Sequence, residues 1–170
     1  MNTALVIIDM QEGFINENTA NLPNKIVDFV KSNKFNLVIG TKYVNNRYTA
    51  CHKFEGWNGC WEGSDESKLV DVIEDICDIV ITKNKYSCWD DSFIRLLRYF
   101  EIDKLVFCGV NTGCCVLASA FSAYDDVWDI TVIEDLCGST SGISSHNAGI
   151  QILKECITKE RVITSDKYRR

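Results

Sequence analysis

The sequence predicts an α/β fold: one three-layer α/β/α domain over residues 1–170, built on a central, mostly parallel, Rossmann-like sheet of about six strands. Three observations predict it. Short β-branched runs alternate with longer amphipathic stretches, the order that favours parallel strands joined by covering helices. Two of those runs, Leu5-Val6-Ile7-Ile8 and Leu105-Val106-Phe107-Cys108, are uninterruptedly apolar, as strands buried on both faces must be. A chain of 170 residues supports one sizeable core and not two ordinary domains, and neither an internal repeat nor a low-complexity linker divides it.

In chain order, strands are expected at Ala4–Asp9, Leu37–Val44, Ile79–Thr82, Lys104–Val110, Asp129–Glu134 and, briefly, around Arg161–Thr164. The first helix, Leu22–Ser32, carries Pro23 in its first turn, where the missing N–H costs nothing, and shows Ile26, Phe29 and Val30 on one face. Phe93, Leu96, Leu97 and Phe100 form the stripe of a second helix, and Ala148, Ile152, Leu153 and Cys156 that of another. Asn45–Ser64 has no clear period, is rich in Asn and Gly and carries Trp57 and Trp61, so it reads as a long excursion above the sheet, of the kind that forms lids.

Composition excludes several classes of function. A net charge of −6 and a pI near 4.9 argue against the attraction to phosphate that dominates nucleic-acid binding. No apolar run is long enough to cross a bilayer, and the start lacks a basic n-region and a cleavage site, so the expected location is cytoplasmic, with no membrane partner. Nine cysteines, an odd number without regular spacing, fit free thiols in a reducing compartment rather than a disulfide framework. Cys51, His52 and Cys60 lie in one segment, but no C-x-x-C pair accompanies them and the only other histidine is His146, so no metal site and no cofactor are expected.

Sites in open α/β sheets form beyond the carboxyl ends of the strands. There Asp9 ends the first strand, Lys83 follows the third, and Cys114 and Cys115 lie just past the fourth, where a helix begins. Each alone has an ordinary structural explanation as a turn residue, a solvated charge or a buried thiol. On parallel strands they converge on one edge, and there they make chemical sense. A thiol needs deprotonation to become a nucleophile; a helix N-terminus and an ammonium favour the thiolate, and a carboxylate can take and return the proton. The turn Gly109-Val110-Asn111-Thr112-Gly113 can aim backbone N–H groups at a developing oxyanion.

These residues carry a resemblance. Val6-Ile7-Ile8-Asp9-Met10-Gln11-Glu12-Gly13-Phe14, Lys83-Asn84-Lys85-Tyr86-Ser87, Gly109-Val110-Asn111-Thr112-Gly113-Cys114-Cys115-Val116 and the acidic turn Glu134-Asp135-Leu136-Cys137 resemble the isochorismatase-like cysteine hydrolases, which include nicotinamidases and N-carbamoylsarcosine amidases. The likeness runs from Ala4 to about Ile163. It implies an isochorismatase-like fold, a catalytic triad of Asp9, Lys83 and Cys115, and a cis peptide at Val110–Asn111 that lets the N–H groups of Asn111 and Cys115 form an oxyanion hole. By analogy it also implies a homo-oligomer, dimer or tetramer. Helical periodicity agrees on the nucleophile: Cys114, Leu117, Ala118 and Phe121 make an apolar stripe, whereas Cys115, Ser119, Ser122 and Asp126 make a polar row, so Cys114 is expected in the core.

One departure bears on substrate. Nicotinamidases of this resemblance carry an Asp-x-His pair and further histidines after the second strand to hold a metal, and this chain reads Tyr43-Val44-Asn45-Asn46-Arg47-Tyr48 there. The expected activity is therefore metal-independent hydrolysis of a small amide or carbamoyl compound, a carbon–nitrogen bond outside peptides, with Phe14, Trp57, Tyr86 and Trp89, and Trp61 beside them, as the apolar walls around a small-molecule substrate. Nicotinamide hydrolysis, a non-catalytic binding or regulatory module and a thiol redox protein are the rival readings, the last weakened by adjacent cysteines that rarely reach disulfide geometry.

Overall fold

The computed structural model of the protein describes residues 1–168. Six strands form one sheet: β1 Thr3–Ile8, β2 Leu37–Tyr43, β3 Ile79–Lys83, β4 Lys104–Val110, β5 Asp129–Gly138 and β6 Val162–Ile163. Their order is β3-β2-β1-β4-β5-β6 and every pairing is parallel. The order reverses between β1 and β4, which opens the crevice where such sheets bind ligands. All six residues of β1 are buried, as is β4 from Leu105 to Val110, as expected of central strands covered on both faces.

Helices α1 Leu22–Ser32, α2 Ala50–Glu55, α3 Asp71–Glu74, α4 Asp91–Tyr99, α5 Leu117–Asp125 and α6 Ile143–Cys156 complete the layers. The caps follow side-chain chemistry. Asp90 accepts from the amides of Ser92 and Phe93 at 3.0 Å to start α4, and Thr49 accepts from His52 N at 3.3 Å to start α2. Phe93 and Leu97 seat α4 in the core.

Several sequence expectations are corrected here. The first strand stops at Ile8 because Asp9 turns into the left-handed region at φ 49°. β5 runs four residues beyond Glu134, to Gly138, by slipping register against β4 between Phe107 and Gly109. The stretch after Asn45 contains a capped helix, α2, and so is not wholly irregular. In α6 the buried face is Gly149, Ile150 and Leu153, while Ile152 is 44 % exposed; Gly149 is drawn inward because a Cβ there would lie 2.8 Å from Gly113 N. No helix among the described residues is long and apolar enough to cross a membrane.

Candidate functional site

Three connections bring the three chemical groups together. Asp9 leaves β1 with positive φ, a conformation of small population that persists where its surroundings hold it. Thr41 of β2 supplies the hold: its hydroxyl donates to Asp9 Oδ1 at 2.6 Å and accepts from Asp9 N at 3.1 Å. Lys83, the last residue of β3, is 7 % exposed. Its ammonium lies 2.6 Å from Asp9 Oδ2 and donates to Lys85 O at 3.0 Å and to Cys115 Sγ at 3.4 Å. The ion pair apart, no donor satisfies Asp9 Oδ2, so a lone pair remains for a proton.

Cys115 sits in a π-turn, Thr112–Val116, between β4 and α5. Asn111 O accepts from the amides of Cys114 and Val116 at 3.0 and 3.2 Å, bracketing Cys115. The preceding peptide bond, Val110–Asn111, is cis, at the position the family resemblance implied. Gly109 makes the approach to β1 possible: at φ 113°, any Cβ there would lie 2.2 Å from Ile8 O. The Asn111 side chain accepts from Thr140 N at 2.7 Å, and Thr112 donates to Gly138 O at 2.9 Å.

Burial, then the charge of Asp9, pushes the Cys115 thiol well above its ordinary range, and the Lys83 ammonium pulls it part of the way back. These influences together favour a neutral thiol beside the carboxylate–ammonium pair, against the thiolate that a helix N-terminus and an ammonium alone would favour. Burial works to lower the Lys83 pKa, but Asp9 and Cys115 outweigh it and the net direction is up, so Lys83 remains a cation. A buried, closely paired charge cluster in a cleft is the signature of a site where proton transfer can be arranged.

Above Cys115 opens a pocket of about 310 Å3 lined by Phe14, Tyr43, Trp57, Tyr86, Asn111 and Cys115 among others. Phe14 stacks on Trp57 with ring centroids 5.9 Å apart, and Tyr43 tilts against Trp57 at 5.8 Å while its ring faces the Lys83 ammonium at 5.3 Å. Phe14, Trp57 and Tyr86 therefore stand where the sequence put them. Trp89 does not. It packs edge-on against Phe93 and Trp128, and its Nε1 donates to Asp126, because the turn into α4 points it into the core. Trp61 lies against the His52 ring, away from the pocket.

The two thiols also exchange expected places. Cys114 is exposed on the pocket wall and Cys115 is 6 % exposed. The polar row turns inward at Cys115 and Ser119, whose hydroxyl accepts from Cys88 N at 3.1 Å, while Ser122 is half-buried against Ser87 at 3.0 Å and Asp126 is exposed. Polarity was a poor guide to exposure.

A model of the Isochorismatase domain matches residues 3–166. The chain belongs to the isochorismatase family. It is 25 % identical to a probable hydrolase, YcaC, of Escherichia coli over 86 % of this chain and 67 % of that one. Its fold is similar to an N-carbamoylsarcosine amidase from Thermoplasma acidophilum (TM-score 0.84, 19 % identity, all of both chains), to an isochorismatase-like hydrolase from Alkaliphilus metalliredigens (0.83, 21 %, 99 % and 97 %) and to nicotinamidase PncA from Bacillus subtilis (0.81, 19 %, 96 % and 99 %). The family is one of hydrolases, with amidases of carbon–nitrogen bonds outside peptides among these neighbours.

Within this isochorismatase fold, the residues after β2 do not fit a metal. Asn45 is fully buried, donates to Trp57 O and Gly59 O at 2.8 and 3.2 Å, and takes the Thr49 hydroxyl on its Oδ1, so its amide is committed to holding this segment. His52 is bonded to Asn58 at 3.0 Å and His146 to Thr112 at 2.8 Å. Among the described residues no three His, Cys, Asp or Glu side chains converge.

Sequence reasoning passed over Thr41 and Glu55, and gave Tyr43 and Cys51 no place in the pocket. A hydroxyl at Thr41 within the apolar run of β2 was the one available signal; Glu55 had none, since its place depends on α2 folding back over the sheet edge. Gln11, quoted only within a motif, is fully buried and clamps β2, accepting from Tyr43 N at 2.7 Å and donating to Tyr43 O at 2.9 Å and Ser67 O at 3.0 Å.

Proposed function

We propose that this chain is a metal-independent cysteine hydrolase of a small amide or carbamoyl-type substrate, working through an acyl-enzyme on Cys115. The observation that carries the reading is the contact chain Asp9–Lys83–Cys115, 2.6 and 3.4 Å long, at the floor of an aromatic pocket. The substrate carbonyl lies against Cys115, and Asp9 takes the thiol proton as sulfur attacks the carbonyl carbon. Lys83 stays charged throughout, offsetting the negative charge that would otherwise build up in a buried site. The oxyanion is received by the backbone N–H groups of Asn111 and Cys115. Asp9 then delivers its proton to the leaving nitrogen, ammonia or an amine departs, and a water deprotonated by Asp9 cleaves the thioester and restores the thiol.

The raised Cys115 pKa supports this order of events, because a thiol that ionises only as it attacks needs its base in contact. The engagement of the Asn45 amide inside its own segment supports metal independence. Assembly as a dimer or tetramer belongs to the same reading, supported by the exposed aromatics Phe54 on α2 and Tyr48 just before it, at 86 % and 69 % exposure. A panel of small amides, carbamoyl compounds and nicotinamide assayed for ammonia release tests the activity: turnover of a member of the first two groups is expected, and inertness toward all of them refutes it.

A further inference from the structure

The pocket above Cys115 carries a single charged side chain on its wall, Glu55 of α2. Asp9 and Lys83 lie beneath it and neutralise one another. Neither Lys nor Arg lines the pocket, whose larger surfaces are the rings of Phe14, Tyr43, Trp57 and Tyr86. Glu55 is fixed at the mouth: the Tyr86 hydroxyl donates to its Oε1 at 3.1 Å, and Cys51 Sγ in turn donates to the Tyr86 oxygen at 3.8 Å. Burial, then Cys51 and Glu55, push the Tyr86 phenol up, so it stays protonated and keeps donating.

Tyr43 adds its ring to the same wall: it is 2 % exposed, its buried hydroxyl lies beside Cys51 and Thr49, and its ring tilts against Trp57 at 5.8 Å. Aromatic faces of this kind present partial negative charge to a cation.

We propose that this pocket selects amides carrying a positive charge at the end remote from the scissile carbonyl, with Glu55 as the specificity-determining residue and the rings of Tyr43, Trp57 and Tyr86 as the aromatic walls that favour the same charge. The inference rests on the amide-hydrolase reading and narrows it. A cation at the mouth meets a carboxylate and the negative faces of aromatic rings. A carboxylate there meets the same groups as repulsion, with no basic side chain to receive it, so discrimination has an attractive and a repulsive half.

Calorimetric titration of the Cys115→Ala protein, which binds without turnover, compares three amides of one shape: 4-(aminomethyl)benzamide, 4-ethylbenzamide and 4-carbamoylbenzoate. The cation is expected to bind about tenfold tighter than the carboxylate, the step a modest charge interaction supplies. Adding Glu55→Gln should shrink that ratio to about twofold, as should high salt. A carboxylate that binds as tightly as the cation, a ratio indifferent to Glu55→Gln, or no binding of any of the three overturns the proposal. Ammonia release from the same amides by the unaltered protein is read separately: ordered binding without ammonia refutes the hydrolase reading alone, and ammonia release without charge order refutes the selection alone.

Discussion

Replacing Asp9 by Asn should make the thiol of Cys115 easier to ionise while making the enzyme slower. Asp9 Oδ2 lies 2.6 Å from Lys83 Nζ, which lies 3.4 Å from Cys115 Sγ, so the carboxylate oxygen is no more than about 6 Å from the sulfur. At that separation two like charges repel by about 2.8 kcal/mol at an effective dielectric constant of about 20. Removing the carboxylate charge therefore releases about a hundredfold more thiolate at a given pH, with Lys83 freed to pair with it. Turnover should fall by about a hundredfold to ten-thousandfold, since nothing remains to accept the thiol proton and hand it to the leaving group. The variant also loses one partner of a buried ion pair, which costs up to about 3–5 kcal/mol, so urea denaturation must first establish that it is folded under assay conditions. The assay is the rate of iodoacetamide labelling at Cys115 against pH, by peptide mass analysis, beside ammonia release. Labelling no faster than wild type, the outcome if Lys83 sheds its proton instead, or turnover within tenfold of wild type refutes the reasoning.

Three further outcomes are expected. Stability should decline above about pH 9: burial, then neighbouring carboxylates, raises the thiols of Cys60 and Cys77 to about 12, and burial raises that of Cys88 to about 11 against the pull of Ser119 and Lys83, all from 9.0, so between those values the unfolded chain releases protons that the folded one retains. Cys88 alone then removes about 1.4 kcal/mol per pH unit from pH 9 to about 11, and a melting temperature flat across that window under reducing conditions would contradict the burial of these thiols. Cys114→Ala should cost less than about 0.5 kcal/mol, as at exposed sites, and keep turnover, while Cys115→Ala should fold and be inert; activity in the latter would move the nucleophile. Exhaustive chelation and dialysis should leave ammonia release unchanged, and loss with EDTA followed by recovery with zinc or manganese would restore a metal to the mechanism.

Much of this was legible in the chain. The apolar runs of β1 and β4 demanded burial on both faces, and that demand placed them at the centre of a parallel sheet, where they are. Asp9, Lys83 and Cys115 were found because each follows a strand, and parallel strands deliver their carboxyl ends to one edge whatever the helices do. The misplacements share a different cause. Trp89 was assigned to the pocket on residue type, but the turn before α4 aims it at Phe93 and Trp128. The exposure of Cys114 and Cys115 was inverted because the Ser119 hydroxyl finds a donor inside the protein, Cys88 N, and the turn carrying Ser119 inward takes Cys115 with it.

The sequence by itself determined the alternation of strands and helices, the central strands and the three groups at the sheet edge, because these follow from short-range periodicity and from the geometry of parallel pairing. Only the tertiary structure decided that Thr41 grips Asp9, that Tyr43 and Glu55 reach the pocket, and that burial and Asp9 favour a neutral thiol at Cys115. Those outcomes depend on contacts between distant segments and on the removal of water from charged groups. Desolvation is a property of the assembled site, and local sequence does not carry it.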